Sequence, residues 1–322
     1  MKYFKLGKYN ISKYCLGTWS LGSDREKNIS YGTISDSKVN KILEYSYNKG
    51  INFFDTANVY GDAEKKLGNF FSKTRDKVFI ATKVGCVSFK KKLNFSKKIV
   101  KSQIYNSLKN LKSEYVDIVQ LYNPNYKDRN LNYTIEYLDK LKSQKTISFI
   151  GISLAKPEDY IQLRKLYKFD TIQFNFNPLD QRAISKEFKN KINKDKIKIF
   201  ARTILNFGIF TEKFLKKKDI QFYKDDHRYY WNEDQIMVWL KYIKKIKAYS
   251  KRPIENTCYR FCNSFNLDSL IIGATNRCHI IKAVEKKNYS KLSKDEIKFF
   301  KKVYGEYSTQ RIFKPKIAMK SI

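Results

Sequence analysis

The stretch from Ile51 to Gly85, INFFDTANVYGDAEKKLGNFFSKTRDKVFIATKVG, decides the fold. Two short apolar runs rich in strand-forming residues, 51–54 and 78–81, flank a segment whose apolar residues recur at helical spacing. A strand, a helix and a strand in this order form a parallel β-α-β unit, and such units place the residues at their strand ends on one ligand-binding face. We therefore expect Asp55 and Lys83, which follow the two runs, to lie close together.

Tyr60 lies in the loop that follows the first run, beside the conformationally permissive Gly61. A lysine ammonium near a phenol lowers the pKa of the phenol, and a carboxylate holds the ammonium charged and in position. These residue types predict that Tyr60 donates a proton to a carbonyl oxygen, with Lys83 tuning its pKa and Asp55 holding Lys83. The structural alternative is a salt bridge at the strand ends with a surface tyrosine nearby.

The motifs at residues 55–61 (DTANVYG) and 81–85 (ATKVG) resemble those of the aldo-keto reductases, and the resemblance extends over nearly the whole chain. It implies a (β/α)8 TIM barrel with an N-terminal β-hairpin and a C-terminal helical extension, formed by a single domain of residues 1–322. It also implies NAD(P)H-dependent reduction of an aldehyde or ketone. The catalytic residues would be Asp55, Tyr60 and Lys83.

Further predicted strands follow along the chain, and a polar residue or a glycine comes at or after the end of each apolar run. The runs are 116–121, 147–152, 171–174, 196–201 and 270–272. Seven candidate positions fall at successive strand ends, namely Asp55, Lys83, Tyr122, Ser153, Gln173, Arg202 and Gly273. Because barrel enzymes carry their sites at the carboxyl ends of the strands, this pattern favours the barrel independently of the resemblance.

Tyr122 is a departure from the family pattern, in which a histidine at this strand end orients the substrate carbonyl. A neutral phenol also donates a hydrogen bond, so we expect Tyr122 to orient the carbonyl instead. The alternative function is a cofactor-binding sensor or regulatory barrel that lost the histidine and turns over little substrate. His227 is either a surface-loop residue, which we favour, or a substitute that folds over the barrel mouth.

The resemblance also implies which residues hold the cofactor. Ser153 and Gln173 would contact the nicotinamide carboxamide, and Arg202 would stack on the ring. Gly208 would expose loop amides to the pyrophosphate. Gly273, Thr275 and Arg277 would open a phosphate-binding helix. In relatives the adenosine end of the cofactor and its 2'-phosphate lie at this helix start, so the resemblance favours NADP(H), with NAD(H) as the alternative.

The predicted substrate pocket contains Trp19 and Asn123 beside Tyr60 and Tyr122, with Trp231 as a further wall. A mixture of aromatic faces and hydrogen-bonding groups suits a small-molecule carbonyl substrate, and a sugar-type carbonyl compound in particular. For Trp19, a place in the protein core is the equal alternative.

The chain is strongly basic, with 66 lysines and arginines against 31 acidic residues and a net charge of +35. The lysines are spread along the chain and form no nucleic-acid recognition motif, so we rank nucleic-acid binding well below the enzyme and the sensor. The five cysteines fit no zinc pattern, and we predict no metal site. The N-terminus has no signal-peptide pattern and no run of 18 apolar residues occurs, which predicts a cytoplasmic protein without a membrane span.

Overall fold

Eight parallel strands close into a barrel in the computed structural model, which describes residues 1–23, 30–216 and 220–310. The strands of the described residues are β1 (Tyr3–Leu6), β2 (Tyr9–Ser12), β3 (Tyr14–Gly17), β4 (Phe53–Asp55), β5 (Phe79–Val84), β6 (Val116–Tyr122), β7 (Ile147–Leu154), β8 (Thr171–Asn175), β9 (Lys198–Arg202) and β10 (Ser269–Gly273). The barrel runs β3 to β10 in chain order, and β10 closes it by pairing with both β3 and β9. The predicted (β/α)8 TIM barrel is confirmed.

The N-terminal hairpin fills one end of the barrel. Strands β1 and β2 pair antiparallel, and their buried side chains Leu6 and Ile11 pack against inward-facing aromatic rings near the amino ends of the barrel strands. Among these rings, Phe53 and Phe200 lie 5.2 Å apart between centroids in an edge-to-face arrangement. Because large apolar side chains occupy this end, polar chemistry is confined to the opposite, carboxyl end.

Helices cover the outside of the barrel. Those in the described residues are α1 (Asp36–Asn48), α2 (Ala63–Phe71), α3 (Lys97–Leu111), α4 (Asn130–Ser143), α5 (Tyr160–Leu163), α6 (Lys186–Asp195), α7 (Glu212–Leu215), α8 (Glu233–Ser250), α9 (Ile254–Asn263), α10 (Arg277–Val284) and α11 (Lys294–Gln310). Ser35 and Asn232 are the N-caps of α1 and α8, since each accepts a hydrogen bond from a backbone amide three residues ahead.

Helix α11 is the predicted C-terminal extension. It packs against α8, where the indole Nε1 of Trp239 donates to the Tyr307 hydroxyl over 2.9 Å. Residues 311–322 lie outside the described residues. That residues 1–322 form one domain therefore stays a prediction. No helix in the described ranges has both the length and the apolar character needed to cross a membrane.

Each of the seven strands from β4 to β10 ends one to three residues beyond the end of its predicted apolar run. Asp55, Tyr122, Arg202 and Gly273 are the last residues of their strands, and Lys83 lies one residue before the end of β5. The backbone ladder continues past the apolar run because the inside of the barrel stays buried there, so polar side chains take over from apolar ones without a break in the strand. These five site residues are thus held by strands rather than by loops.

Candidate active site

Asp55 and Lys83 form a buried ion pair at the carboxyl end of the barrel. Lys83 Nζ lies 2.7 Å from Asp55 Oδ2, and the two side chains are 2% and 5% exposed. The pairing of β4 with β5 sets Asp55 opposite Ala81, so that Lys83, two residues further on, faces the same side. Lys83 Nζ also donates to the backbone carbonyl of Thr56 over 2.9 Å. The structure therefore brings the two residues together as the β-α-β pattern predicted.

Two glutamines complete the surroundings of the Asp55 carboxylate. Its Oδ1 accepts hydrogen bonds from Gln120 Nε2 at 3.1 Å and from Gln173 Nε2 at 2.7 Å. A buried carboxylate is costly unless a cation and several donors surround it, and here both conditions are met. Gln120 was missed by the sequence analysis. The available signal was a polar residue in the otherwise apolar run IVQL, two residues before Tyr122 and so on the same face of the strand.

The two predicted carboxamide contacts are neighbours. Ser153 and Gln173 pair across β7 and β8, and Ser153 Oγ donates to Gln173 Oε1 over 3.3 Å. Each oxygen can still accept one more hydrogen bond. Their side chains are fully buried at the level of the Asp55 carboxylate. The structure thus assembles the pair at the barrel mouth, while their contact with a nicotinamide stays a prediction.

Tyr60 lies above the ion pair, with Lys83 Nζ 4.9 Å from the centre of its ring. Burial raises the pKa of Tyr60 above its ordinary value, the Asp55 carboxylate raises it further, and the Arg202 guanidinium acts in the opposite direction. The predicted lowering of this pKa was wrong, because the loss of hydration penalises the phenolate more than nearby cations favour it. Tyr60 is consequently a protonated phenol at neutral pH, the form that donates a proton.

Tyr122 ends β6 and pairs with Ser153 of β7. Burial raises its pKa to about 12, with a smaller contribution from Tyr60, while Arg202 and Lys83 act in the opposite direction. Tyr122 is therefore also a neutral hydrogen-bond donor at neutral pH. Asn123 follows with a φ of +46° and donates its backbone amide to the Ser153 carbonyl over 2.7 Å.

Several buried polar atoms at this end of the barrel have no partner. Buried polar side chains are normally hydrogen-bonded, so a group of exceptions at one place indicates a site for a ligand. Six of the thirteen such atoms in the described residues belong to predicted site residues or to residues that adjoin one of them in the chain or in the fold. They are Trp19 Nε1, Thr56 Oγ1, Asn123 Oδ1, Asn175 Oδ1, Arg202 Nε and His227 Nε2.

The loop after β9 contains the predicted pyrophosphate-binding glycine. Gly208 has a φ of +85°, and Thr203, Asn206 and Phe207 also have positive φ, which is uncommon for residues with a side chain. Arg228 holds this shape from outside, since its Nη1 donates to the Phe207 carbonyl over 3.1 Å. The phosphate-binding role of the loop stays a prediction.

The predicted phosphate site after β10 is only partly open. Thr275 and Arg277 lie at the start of α10, but the Thr275 amide already donates to His279 Nδ1 over 3.2 Å. The Thr275 amide is therefore not free at this helix start, and the phosphate-binding role of Gly273, Thr275 and Arg277 stays a prediction. Desolvation and the positive charges of Lys282, Lys213 and Lys38 lower the pKa of His279, while the Glu255 carboxylate raises it. Gly273 has open space on its side-chain face.

His227 is a buried residue of the barrel mouth, so the surface-loop interpretation was wrong. Its side chain and its backbone amide both contact the Ser30 carbonyl, at 3.1 Å and 2.8 Å. Its ring lies 4.5 Å from the ring of Trp19 and 5.4 Å from that of Trp231. Burial lowers the pKa of His227 to about 4. Trp19 is half-buried here, and the predicted pocket residues Trp19 and Trp231 contact the same histidine.

Glu64 is a second residue that the sequence analysis missed. Its buried carboxylate accepts hydrogen bonds from Thr82 Oγ1 at 2.6 Å, Ser107 Oγ at 2.7 Å and Asn58 Nδ2 at 3.1 Å. It thereby connects the loop that carries Tyr60 to α3 and to the residue before Lys83. The signal in the sequence was its helical spacing, three and seven residues before the buried Leu67 and Phe71.

The chain is similar in sequence and fold to known oxidoreductases. The profile of the Aldo/keto reductase family matches residues 13–304. An uncharacterized oxidoreductase, YqkF of Bacillus subtilis, is 30% identical over 221 residues, which are 66% of this chain and 68% of that protein. Among solved structures, the aldo-keto reductase AKR11C1 from Bacillus halodurans in its holo form is 22% identical with a TM-score of 0.76, covering 94% of this chain and 96% of that one. The glycerol dehydrogenase AKR11B4 from Gluconobacter oxydans is 20% identical with a TM-score of 0.74, covering 98% and 97%. The chain belongs to the aldo/keto reductase family.

Proposed function

We propose that the protein reduces an aldehyde or ketone with NAD(P)H and that Tyr60 donates a proton to the carbonyl oxygen. The observation that supports this proposal most directly is the buried Lys83–Asp55 pair, 2.7 Å long, beneath the ring of a protonated tyrosine. The pair lies at the same end of the barrel as the six unpartnered polar atoms, so a ligand that binds there is held beside Tyr60.

The residues at the mouth fit a nicotinamide cofactor. Arg202 Nε and Asn175 Oδ1 are buried and unpartnered, and Ser153 and Gln173 each keep one free acceptor position beside them. The positive-φ loop at Gly208 would hold the pyrophosphate. When bound, the nicotinamide supplies the hydride for the carbonyl carbon.

NADP(H) is the cofactor that we favour, with NAD(H) as the alternative. Arg277 is exposed at the start of α10. Besides desolvation, the charges of Lys282, Lys213 and Lys38 lower the pKa of His279, which lies two residues further along the same helix. A cluster of cations would bind a 2'-phosphate. The same cations would bind the neutral 2'-hydroxyl group of NAD(H) less strongly.

Tyr60 and Tyr122 have different roles at the substrate carbonyl. Burial keeps both phenols protonated, so Tyr122 would hold the carbonyl oxygen by a hydrogen bond while Tyr60 transfers its proton to it. The Tyr60 ring lies above the Lys83 ammonium, so Lys83 would stabilise the negative charge left on the phenol. Asp55 acts through Lys83, because its carboxylate fixes the ammonium in place.

The substrate pocket that we propose is lined by Trp19 and Asn123. Both residues contribute buried polar atoms without partners, which suits a carbonyl compound that carries further polar groups, such as a sugar-type aldehyde or ketone. The predicted cytoplasmic location and the absence of nucleic-acid and metal partners stay predictions.

The test is a fluorescence titration with NADPH and NADH, followed by cofactor oxidation with a panel of aldehydes, ketones and keto sugars. We expect wild-type turnover that Tyr60→Phe reduces by at least about a hundredfold, the size typical of a lost acid–base group. Tyr105→Phe is the matched control, because Tyr105 is 66% exposed on α3, far from the mouth. Full turnover in Tyr60→Phe contradicts the proposed role.

The sensor is the second candidate, and Tyr122 is the observation that favours it. The same panel separates the two functions. Tight NADPH binding without turnover in the wild type, together with turnover in Tyr122→His, would establish a binding protein that lost its activity with the histidine.

A further inference from the structure

Trp19 and His227 carry a complementary pair of buried, unpartnered polar atoms. Neither Trp19 Nε1 nor His227 Nε2 has a hydrogen-bond partner among the residues that the structure describes. Their rings are in edge-to-face contact with centroids 4.5 Å apart. The indole nitrogen can only donate a hydrogen bond. What the imidazole nitrogen does depends on the position of the proton on His227.

The contacts of Nδ1 fix that position. Nδ1 lies 3.1 Å from the Ser30 carbonyl and 3.5 Å from Asp226 Oδ1, and both oxygens are acceptors. Nδ1 must therefore carry the proton, which leaves Nε2 as an acceptor in the neutral ring. Burial favours the neutral ring at pH 7 by lowering the pKa of His227 to about 4. His227 thus cannot donate to a substrate carbonyl and does not replace the histidine absent at position 122.

Aromatic rings enclose the pair. Tyr31 and Phe207 contact the rings of both Trp19 and His227, at centroid distances from 5.0 to 5.6 Å, and Trp231 covers His227. In such apolar surroundings a polar atom without a partner is costly, so a ligand group that satisfies both atoms at once is favoured strongly over one that satisfies neither.

A hydroxyl group accepts one hydrogen bond and donates another, which is what this pair requires. We infer that Trp19 Nε1 and His227 Nε2 together bind a hydroxyl group of the substrate, so that the enzyme selects hydroxylated aldehydes or ketones over their deoxy analogues. This inference rests on the proposed function, because it assigns the substrate class of the same site. Trp19 and His227 act here in substrate binding and take no part in proton transfer.

The kinetic test uses aldehydes that differ by single hydroxyl groups: propanal, 2-hydroxypropanal, 3-hydroxypropanal and glyceraldehyde. In the wild type we expect kcat/KM to rise at least about tenfold with the hydroxyl group that reaches the pair. His227→Phe and Trp19→Phe keep an aromatic ring but remove one polar atom each, and each should reduce that preference to less than about threefold. A wild type without hydroxyl preference, or a preference that survives in both variants, overturns the inference.

A spectroscopic test works without turnover. The chain has only two histidines, His227 and His279, so the imidazole nitrogens are readily assigned in 15N spectra. With NADPH present, 1,3-propanediol should shift the His227 Nε2 resonance in the wild type, and the shift should be at least halved in Trp19→Phe, which lacks the donor to the same hydroxyl. No shift in the wild type, or an equal shift in Trp19→Phe, contradicts the inference. If no aldehyde is reduced but the diol shifts His227 in the wild type and not in Trp19→Phe, the proposed reductase function fails and the hydroxyl site stands.

Discussion

Replacing Asp55 by asparagine removes the negative charge from a buried ion pair and leaves the Lys83 ammonium without its counter-charge. Lys83 is 2% exposed, and besides Asp55 its Nζ has the Thr56 carbonyl as a hydrogen-bond acceptor and the neutral Tyr60 ring at 4.9 Å. Breaking a buried pair by removing one partner costs about 3–5 kcal/mol of folding free energy. With a urea dependence of about 3 kcal/mol per M for a chain of this size, the unfolding midpoint should fall by about 1–1.7 M.

The double variant Asp55→Asn with Lys83→Met is the matched control. It removes both charges and keeps nearly the same volume, and a buried ion pair can be replaced by neutral groups at little cost. We therefore expect the double variant to recover most of the lost stability. It should remain inactive, because nothing then stabilises the Tyr60 phenolate that forms as the proton leaves.

Urea unfolding followed by tryptophan fluorescence and by circular dichroism measures the midpoints, and the carbonyl panel measures the activity. Two results would refute the reasoning. One is an Asp55→Asn midpoint within about 0.3 M of the wild type, which would mean that the pair is hydrated. The other is a double variant as unstable as the single one, which would mean that packing rather than the unpaired charge sets the cost.

Three further predictions concern residues around the site. Glu64→Gln should lower the stability by about 1–3 kcal/mol in urea unfolding, because the new amide nitrogen would face a donor, either Asn110 or the hydroxyls on the other oxygen. The exposed Glu44→Gln should change it by less than about 0.5 kcal/mol. His227 has its pKa lowered from 6.5 to about 4 in the folded state, so the unfolded state binds its proton first as the pH falls. The His227 contribution should then decrease the stability by about 3 kcal/mol from pH 6.5 to pH 4. Urea midpoints of His227→Phe across this range should lack this contribution to the decrease. Arg228→Gln should raise the NADPH dissociation constant about tenfold in fluorescence titration, because the Phe207 carbonyl loses its charged donor; an unchanged constant would contradict the phosphate-binding role of that loop.

The sequence alone determined the barrel and the approximate position of its candidate site. Alternating apolar runs and helical faces specify a β-α order, and parallel β-α-β units have essentially one handedness, so the strand ends must meet on one face. This is why Asp55 and Lys83 could be expected together although 27 residues separate them along the chain. The motif around Tyr60 was sufficient to indicate the family.

Only the tertiary structure decided the surroundings of each side chain. Gln120 lies in an apolar strand and Glu64 on an apolar helix face, and their hydrogen bonds join elements that no local pattern relates. The direction of the Tyr60 pKa shift also depends on burial, which reflects the whole fold rather than the nearest charge.

His227 shows the same limit most clearly. In the sequence it stands among charged and aromatic residues that suit an exposed loop, but the fold pairs Asp226 with Tyr31 and buries the histidine against Trp19. Its proton position follows from the Ser30 carbonyl, 197 residues away in the chain. Sequence patterns record which residues are apolar and how they are spaced, whereas the partner of a polar atom is set by contacts between distant segments, and these exist only once the chain has folded.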